Sequence, residues 1–264
     1  MSGASDDNTG YRAEQYGHNY PDGIEHHYWN ICRNRLVHRL LVGGPRATTR
    51  SVQDAGMVLD IGAGRGIVVD FLRRRGLDCW GCDVAASRPI APRVAPFLMT
   101  ETDALQLEQA FRSKVSAILL LDVLEHLLEP TAFLRSCRHA FSGVERVVVT
   151  LPARQELWSN YDEYYGHFAR YNIQRARDML EAGGFELVDI GYFFHGLYPP
   201  ARFLSALNIS RQTEVQAPRS PLAVAIHRLL GHAFQLESLI VPRRVPGSSL
   251  YVLASPRLTR NVVV

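Results

Sequence analysis

Short apolar runs alternate with helix-period stripes along most of this chain. Runs at 58–62, 79–84, 97–99, 117–122, 146–151, 185–192 and 249–254 predict seven strands. The stripe at 67–75 predicts a helix, with Ile67, Val68, Phe71 and Leu72 on one side, three arginines at its end and Gly76 as its stop. Further helices are predicted at 130–141 and at 175–182, the latter closed by Gly183 and Gly184. "AILLLD" at 117–122 is continuously apolar, as a strand covered on both faces should be. Strands separated by helices predict an α/β fold: a doubly wound, mostly parallel, seven-stranded sheet. Two stretches lie outside that rhythm. Residues 1–50 are aromatic and charged, with helical spacing in "YWNICRNRLVHRLL", and predict an N-terminal lid or cap. Residues 195–247 form a helical, proline-containing insertion before the last strand, within a main domain of 51–264.

Composition narrows the class. The 264 residues suit one large domain with an appended lid, and 47% hydrophobic with 21% charged residues is ordinary for a soluble globular protein. A net charge of +3 is too weak to argue for nucleic acid. Lys114 is the lone lysine among 29 basic residues, a sign of base-composition bias before phosphate binding. The polar, acidic start lacks the layout of a signal peptide, and no apolar run reaches the ~18 residues of a membrane span. The expectation is a cytoplasmic protein without stable membrane insertion; peripheral contact through the apolar tract at 221–241 stays open, and so does the oligomeric state. Cys79 and Cys82 have C-x-x-C spacing, but residues three apart on a strand face opposite sides. They read as core residues rather than a metal or redox pair, and no metal is expected.

"MVLDIGAGRG" at 57–66 carries the chemistry. A strand ends at Asp60, and glycines follow at 62, 64 and 66, where side chains have been given up for a tight turn or a close ligand approach. Such a turn at the carboxyl edge of a sheet, opening a helix whose first N–H groups are free, suits a nucleotide. A dinucleotide fingerprint wants its third glycine one residue later, where Ile67 stands. An NAD-dependent oxidoreductase is therefore the weaker alternative. Asp83, ending the second strand, is placed to accept from two ribose hydroxyls.

"VLDIGAGRG", "GCDV", "TDAL" and "LLLDVLEHLLEP" stand in the order and spacing of the class I S-adenosylmethionine-dependent methyltransferases, which this chain resembles over about residues 55–194 and the final strand. "HYWNICRNRL" and "YGHFARY" are similar to elements of the small-molecule branch of ubiquinone-biosynthesis-type O-methyltransferases. The resemblance implies a Rossmann-like fold, S-adenosylmethionine as cofactor and S-adenosylhomocysteine as product. It implies that Asp60, Gly62, Ala63, Gly64 and Gly66 hold the methionine part and that Asp83 with Val84 takes the ribose. Asp103 and Ala104 would sit at the adenine, and Asp122 near the sulfonium. A catalytically silent binding or scaffold protein is the alternative from another class.

The expected acceptor is a small molecule, methylated on a hydroxyl oxygen. "DVLEH" stands where amino-methyltransferases acting on DNA bases carry N/D-P-P-aromatic, so base methylation is disfavoured. Arg33 would pair the cofactor carboxylate. Tyr28, Trp29, Tyr164, Tyr165, Arg170 and Tyr171 would wall the acceptor pocket, with interface or core roles open for the tyrosines. His167 is preferred as general base, with Arg170 beside it to hold it neutral. His126 is second, with a loop-bracing role as its alternative, and catalysis by alignment alone is the third option.

Overall fold

The structure is a computed structural model that describes residues 20–43 and 56–257. Residues 1–19 and 44–50 of the expected lid, including the first part of its aromatic stretch, lie outside the described residues. Seven strands form one sheet: β1 (Met57–Ile61), β2 (Cys79–Cys82), β3 (Leu98–Met99), β4 (Val115–Leu121), β5 (Arg146–Pro152), β6 (Phe185–Phe193) and β7 (Ser249–Pro256). Their order is β3-β2-β1-β4-β5-β7-β6. Only β7 runs against its neighbours, pairing antiparallel with β5 and β6, so the sheet is mostly parallel as predicted. All seven runs legible in the sequence are strands, with ends shifted by one or two residues, as helix and strand ends commonly are.

The helices are α1 (Tyr28–Val42), α2 (Ile67–Arg73), α3 (Gln109–Arg112), α4 (Pro130–Ala140), α5 (Asn160–Tyr164), α6 (Ile173–Ala182), α7 (Tyr198–Ala206) and α8 (Pro221–Ile240). Their starts follow local chemistry. Ser159 and Asp162 form a capping box on α5, Asn172 Oδ1 accepts from Arg175 N at 2.8 Å on α6, and Ser220 Oγ accepts from Ala223 N at 3.1 Å ahead of Pro221 on α8. The apolar tract predicted at 221–241 is one uninterrupted helix over Pro221–Ile240. No helix among the described residues is long and apolar enough to cross a membrane.

Strand side chains alternate between two cores. Leu59, Ile118 and Leu120 face the layer of α4 and α6, while Val58, Ala117 and Leu119 face that of α1 and α2. Cys79 lies in one core and Cys82 in the other, both buried and free, so the C-x-x-C spacing makes no pair. Cys32, Leu36, Val37, Leu40 and Leu41 are all buried, so α1, the helical part of the expected lid or cap, packs as a layer of the core. Only residues 20–27 remain of the described chain to act as a cover. Winding reverses between β1 and β4, and the carboxyl ends of the strands at that switch point position the site.

Candidate functional site

The turn after β1 is built on backbone that side chains rarely adopt. Gly62, Gly64 and Gly66 have φ of 78°, 57° and 76°. A Cβ on Gly64 would stand 2.5 Å from Tyr20 Oη, and one on Gly62 2.6 Å from Val123 Cγ2. The chain's own side chains therefore crowd these glycines before any ligand does. Ligand approach alone does not explain them.

Asp83 straps the turn to the end of β2. Its Oδ2 accepts from Gly64 N and its Oδ1 from Ala85 N, both at 2.8 Å. Burial raises its pKa, and those two donors pull the other way. Val84 beside it is exposed. Ser87 Oγ donates to Gly64 O at 2.8 Å, and Ala63, whose N donates to Cys82 O, is buried beneath. Asp103 caps the short turn Ala104–Gln106, accepting from Leu105 N at 2.9 Å. Ala104 is buried.

Asp60 is almost fully buried, and its Oδ1 has no hydrogen-bond partner among the described residues. Burial raises its pKa to about 7, against the pull of the Arg33 charge. Arg33 is buried, and its Nη1 donates to Asp122 Oδ2 at 2.9 Å and its Nη2 to Asn30 Oδ1 at 3.3 Å rather than being held for a ligand carboxylate. Its guanidinium carbon sits 4.3 Å from the Trp29 ring centroid. Asp122 holds φ 58°, and its Oδ2 also accepts from Thr150 Oγ1 at 3.0 Å. A left-handed aspartate ending a strand marks a place where chain direction is set by the surroundings.

The two histidines meet. The rings of His126 and His167 are edge to face, centroids 4.7 Å apart. His167 Nδ1 lies 2.9 Å from Asp162 Oδ1, which also accepts from Arg170 Nε at 2.8 Å. This carboxylate is held below its usual pKa by His167 and Arg170, against its burial. Burial, then the His167 charge, pulls the His126 pKa down to about 3. Glu125 is buried, its carboxyl pushed well above the ordinary range by burial and then by Asp122. Ligand atoms of Glu125, His126 and His167 all lie within 4.8 Å of one another. A carboxylate with two imidazoles is a set that a divalent cation also accepts, although no metal was expected from the sequence.

The expected acceptor wall is reduced. Tyr165 and Tyr171 are 1% and 3% exposed: Tyr171 packs in the core and Tyr165 Oη donates to Thr213 O at 2.6 Å. Arg170, 6% exposed, is engaged by Asp162 and by the Ala153 carbonyl at 3.1 Å. Tyr165 and Arg170 face inward because their polar atoms find partners there, and Tyr171 because its ring joins the apolar core. Tyr164 stays half-buried, while Tyr28 and Trp29 ring Phe194, with Tyr28 also beside Phe234 and His227. Asp162 and Tyr20 were not singled out in the sequence. The S-x-x-D box starting at Ser159 was the legible signal for Asp162, whereas nothing local marks Tyr20 as the neighbour of Gly64.

A family model described as a methyltransferase domain matches residues 26–190. No curated protein sequence matches. Among solved structures the chain is similar to the 1,6-didemethyltoxoflavin-N1-methyltransferase of Burkholderia thailandensis, at 14% identity, TM-score 0.54, covering 93% of this chain and 87% of that one. It is similar to the plantazolicin methyltransferase BamL at 16% identity, TM-score 0.52, covering 93% and 90%. A third is a phosphoethanolamine N-methyltransferase 2 of Haemonchus contortus, at 15% identity, TM-score 0.52, covering 94% of this chain and 60% of that one. At these identities the likeness is one of fold.

Proposed function

This chain belongs to the methyltransferase-domain family, and from that premise we propose that it moves a methyl group from S-adenosylmethionine to a hydroxyl oxygen of a small-molecule acceptor. The observation that carries the reading is a juxtaposition at one sheet edge. A glycine turn strapped by Asp83 stands beside the buried Asp60, and the paired His126 and His167 lie beyond Asp122 on the loops after β4 and β5.

The turn and its acids fit the cofactor. Asp60 offers an unpartnered buried carboxylate oxygen and Asp83 two oxygens with lone pairs to spare, both suited to a ligand that carries cations and hydroxyls. The Burkholderia enzyme and BamL were each crystallised with S-adenosylhomocysteine. Bound, the cofactor supplies a methyl on a sulfonium, an already activated leaving group. The residues of this chain have to align an acceptor and take its proton. His167 receives that proton on Nε2, because Nδ1 faces Asp162 and fixes the ring. Arg170 keeps Asp162 ionised and in place, acting as a positioning residue. His126 braces the His167 ring edge to face. The O-methyl outcome rests on this base, since a hydroxyl needs deprotonation to attack.

The test is a radiolabelled-methyl screen over hydroxyl and amine acceptors. It is preceded by calorimetry with S-adenosylmethionine, S-adenosylhomocysteine and NAD; binding of NAD alone would overturn the reading. Once an acceptor is in hand, His167→Ala should lower kcat by at least about tenfold with cofactor affinity nearly intact. A rise in the acceptor KM alone would make His167 a binding residue.

Cofactor affinity should also depend on pH. Asp60 in the ligand-free chain titrates near 7. A cationic ligand favours its ionised form and lowers that pKa, so binding below pH 7 releases a proton. Affinity should therefore fall as pH is lowered from 7 to 6 and be flat above 8, and Asp60→Asn should remove the slope. Calorimetry in buffers of different ionisation enthalpy counts the proton; observed heats that do not vary with the buffer below pH 7 would take Asp60 out of the site.

A further inference from the structure

Helix α8 turns one apolar face into the protein and another into water. The inward face holds His227, Gly231 and Phe234, where Gly231 lets Tyr28 and Ile31 of α1 approach. On the opposite side Leu222, Ile226, Leu229, Ala233, Leu236 and Ile240 recur at alternating steps of four and three, and all are exposed. Leu222, Leu229 and Ile240 are each 71% exposed. At 1.5 Å per residue this seam runs the helix's full length of about 30 Å. Outside the insertion, Val84, Leu128 and Phe168 are the exposed large hydrophobics among the described residues. A contiguous apolar strip of this kind on a polar surface marks a contact.

Charge separates the possible partners. Between 195 and 247 the chain has six arginines against Glu214 and Glu237. Glu237 is turned inward, accepting from His195 N at 2.9 Å and Gly196 N at 2.6 Å. Arg219 precedes α8 and Arg244 follows it, both exposed. Along one flank of the apolar strip, a cavity of about 330 Å³ opens between α1, α2 and α8, lined by Arg35, Arg75, Arg228, His26, His232 and Glu25 among others. Arg75 is pulled below the usual guanidinium range by burial and then by the neighbouring charges of Arg35 and Arg74. Like charges crowded beside an apolar strip favour an anionic partner with an apolar part. They oppose a second copy of the same surface, which would bring arginine against arginine.

We propose that this face of α8, with its arginine-lined cavity, docks the protein on an anionic phospholipid surface, the strip entering the acyl boundary and the cavity taking a phosphate headgroup. The contact is peripheral. It stands apart from the methyl-transfer reading, because none of these side chains belongs to the candidate site.

The full chain should co-sediment with vesicles containing phosphatidylglycerol and only weakly with pure phosphatidylcholine, and ~1 M salt should weaken the difference. Leu229→Glu with Leu236→Glu should lower partitioning more than about tenfold, since each places a charge at acyl depth. Arg75→Glu with Arg228→Glu should lower it by a similar factor on anionic vesicles alone. All four side chains lie outside the glycine turn and the histidine pair, so S-adenosylmethionine affinity should be unchanged, which also shows that each variant is folded. Equal partitioning by wild type and variants would overturn the proposal, as would failure to bind either vesicle. So would a concentration-dependent dimer that Leu229→Glu dissolves without vesicle binding, which would assign the strip to a second copy of the chain.

Discussion

Gly64→Val should leave no measurable S-adenosylmethionine binding, a loss of more than about 100-fold in affinity, while the sheet still folds. The position holds φ 57°, where a β-branched residue costs on the order of 1–3 kcal/mol. The new Cβ would stand 2.5 Å from Tyr20 Oη. Relief requires moving either the turn or the segment around Tyr20. That segment is tied to the next residue, because Arg65 Nη1 donates to Tyr20 O at 2.8 Å and to Asp22 Oδ1 at 3.0 Å. Moving the turn also breaks the Gly64 N–H bond to Asp83. Every route disturbs the same few atoms, so a loss of 3 kcal/mol or about 100-fold is a modest expectation. Calorimetry on the variant checks it, with Gly64→Ala as the milder comparison. Wild-type affinity in Gly64→Val would remove the turn from the cofactor site.

Arg170→Ala should lower the unfolding free energy by about 3–5 kcal/mol, a large part of a domain's usual margin of about 5–15 kcal/mol. Asp162 has no exposed side-chain surface and Arg170 only 6%. Removing the guanidinium leaves a buried carboxylate facing His167 and the backbone N–H and hydroxyl of Ser159, and frees the Ala153 carbonyl of its donor. Urea unfolding at neutral pH measures the loss. The sign of its pH dependence follows from Asp162. Its folded pKa is held below the usual value, so its contribution to stability is present above the unfolded carboxylate pKa of about 4. That contribution is lost as pH falls through the lower folded value. Wild type and variant should therefore converge in acid. Adding Asp162→Asn should recover part of the loss, because the uncompensated charge is gone. A difference that persists unchanged to pH 2 would mean that packing of the arginine stem dominates.

Much of the fold was legible because its signals are local. Doubly buried strands such as β4 and β5 must be apolar throughout, so period and run length identify them without knowledge of their neighbours. Gly62, Gly64 and Gly66 follow Asp60 at fixed spacing, and their positive φ confirms that the turn needed them. The opposite-facing Cys79 and Cys82 followed from strand geometry alone. His126 and His167 both follow strands, so the sequence places them on loops at one sheet edge, and the structure brings their rings together.

What the sequence by itself determined, then, is the alternation of elements, the glycine turn and the acids that end the strands, because each is a property of neighbouring residues. Tertiary structure decided the rest through contacts between positions far apart in the chain. It made α1 a core layer, since Leu36 and Leu41 find the sheet only once the strands have assembled. It turned Tyr165 and Tyr171 inward and gave Arg33 to Asp122, 89 residues away. It set Asp60 near neutrality, because the pKa of a carboxyl depends on how much water and charge the whole fold leaves around it. It also left the outer face of α8 uncovered. Periodicity shows that a helix has apolar sides, but only the packed molecule shows which of them meets the sheet layer and which meets water.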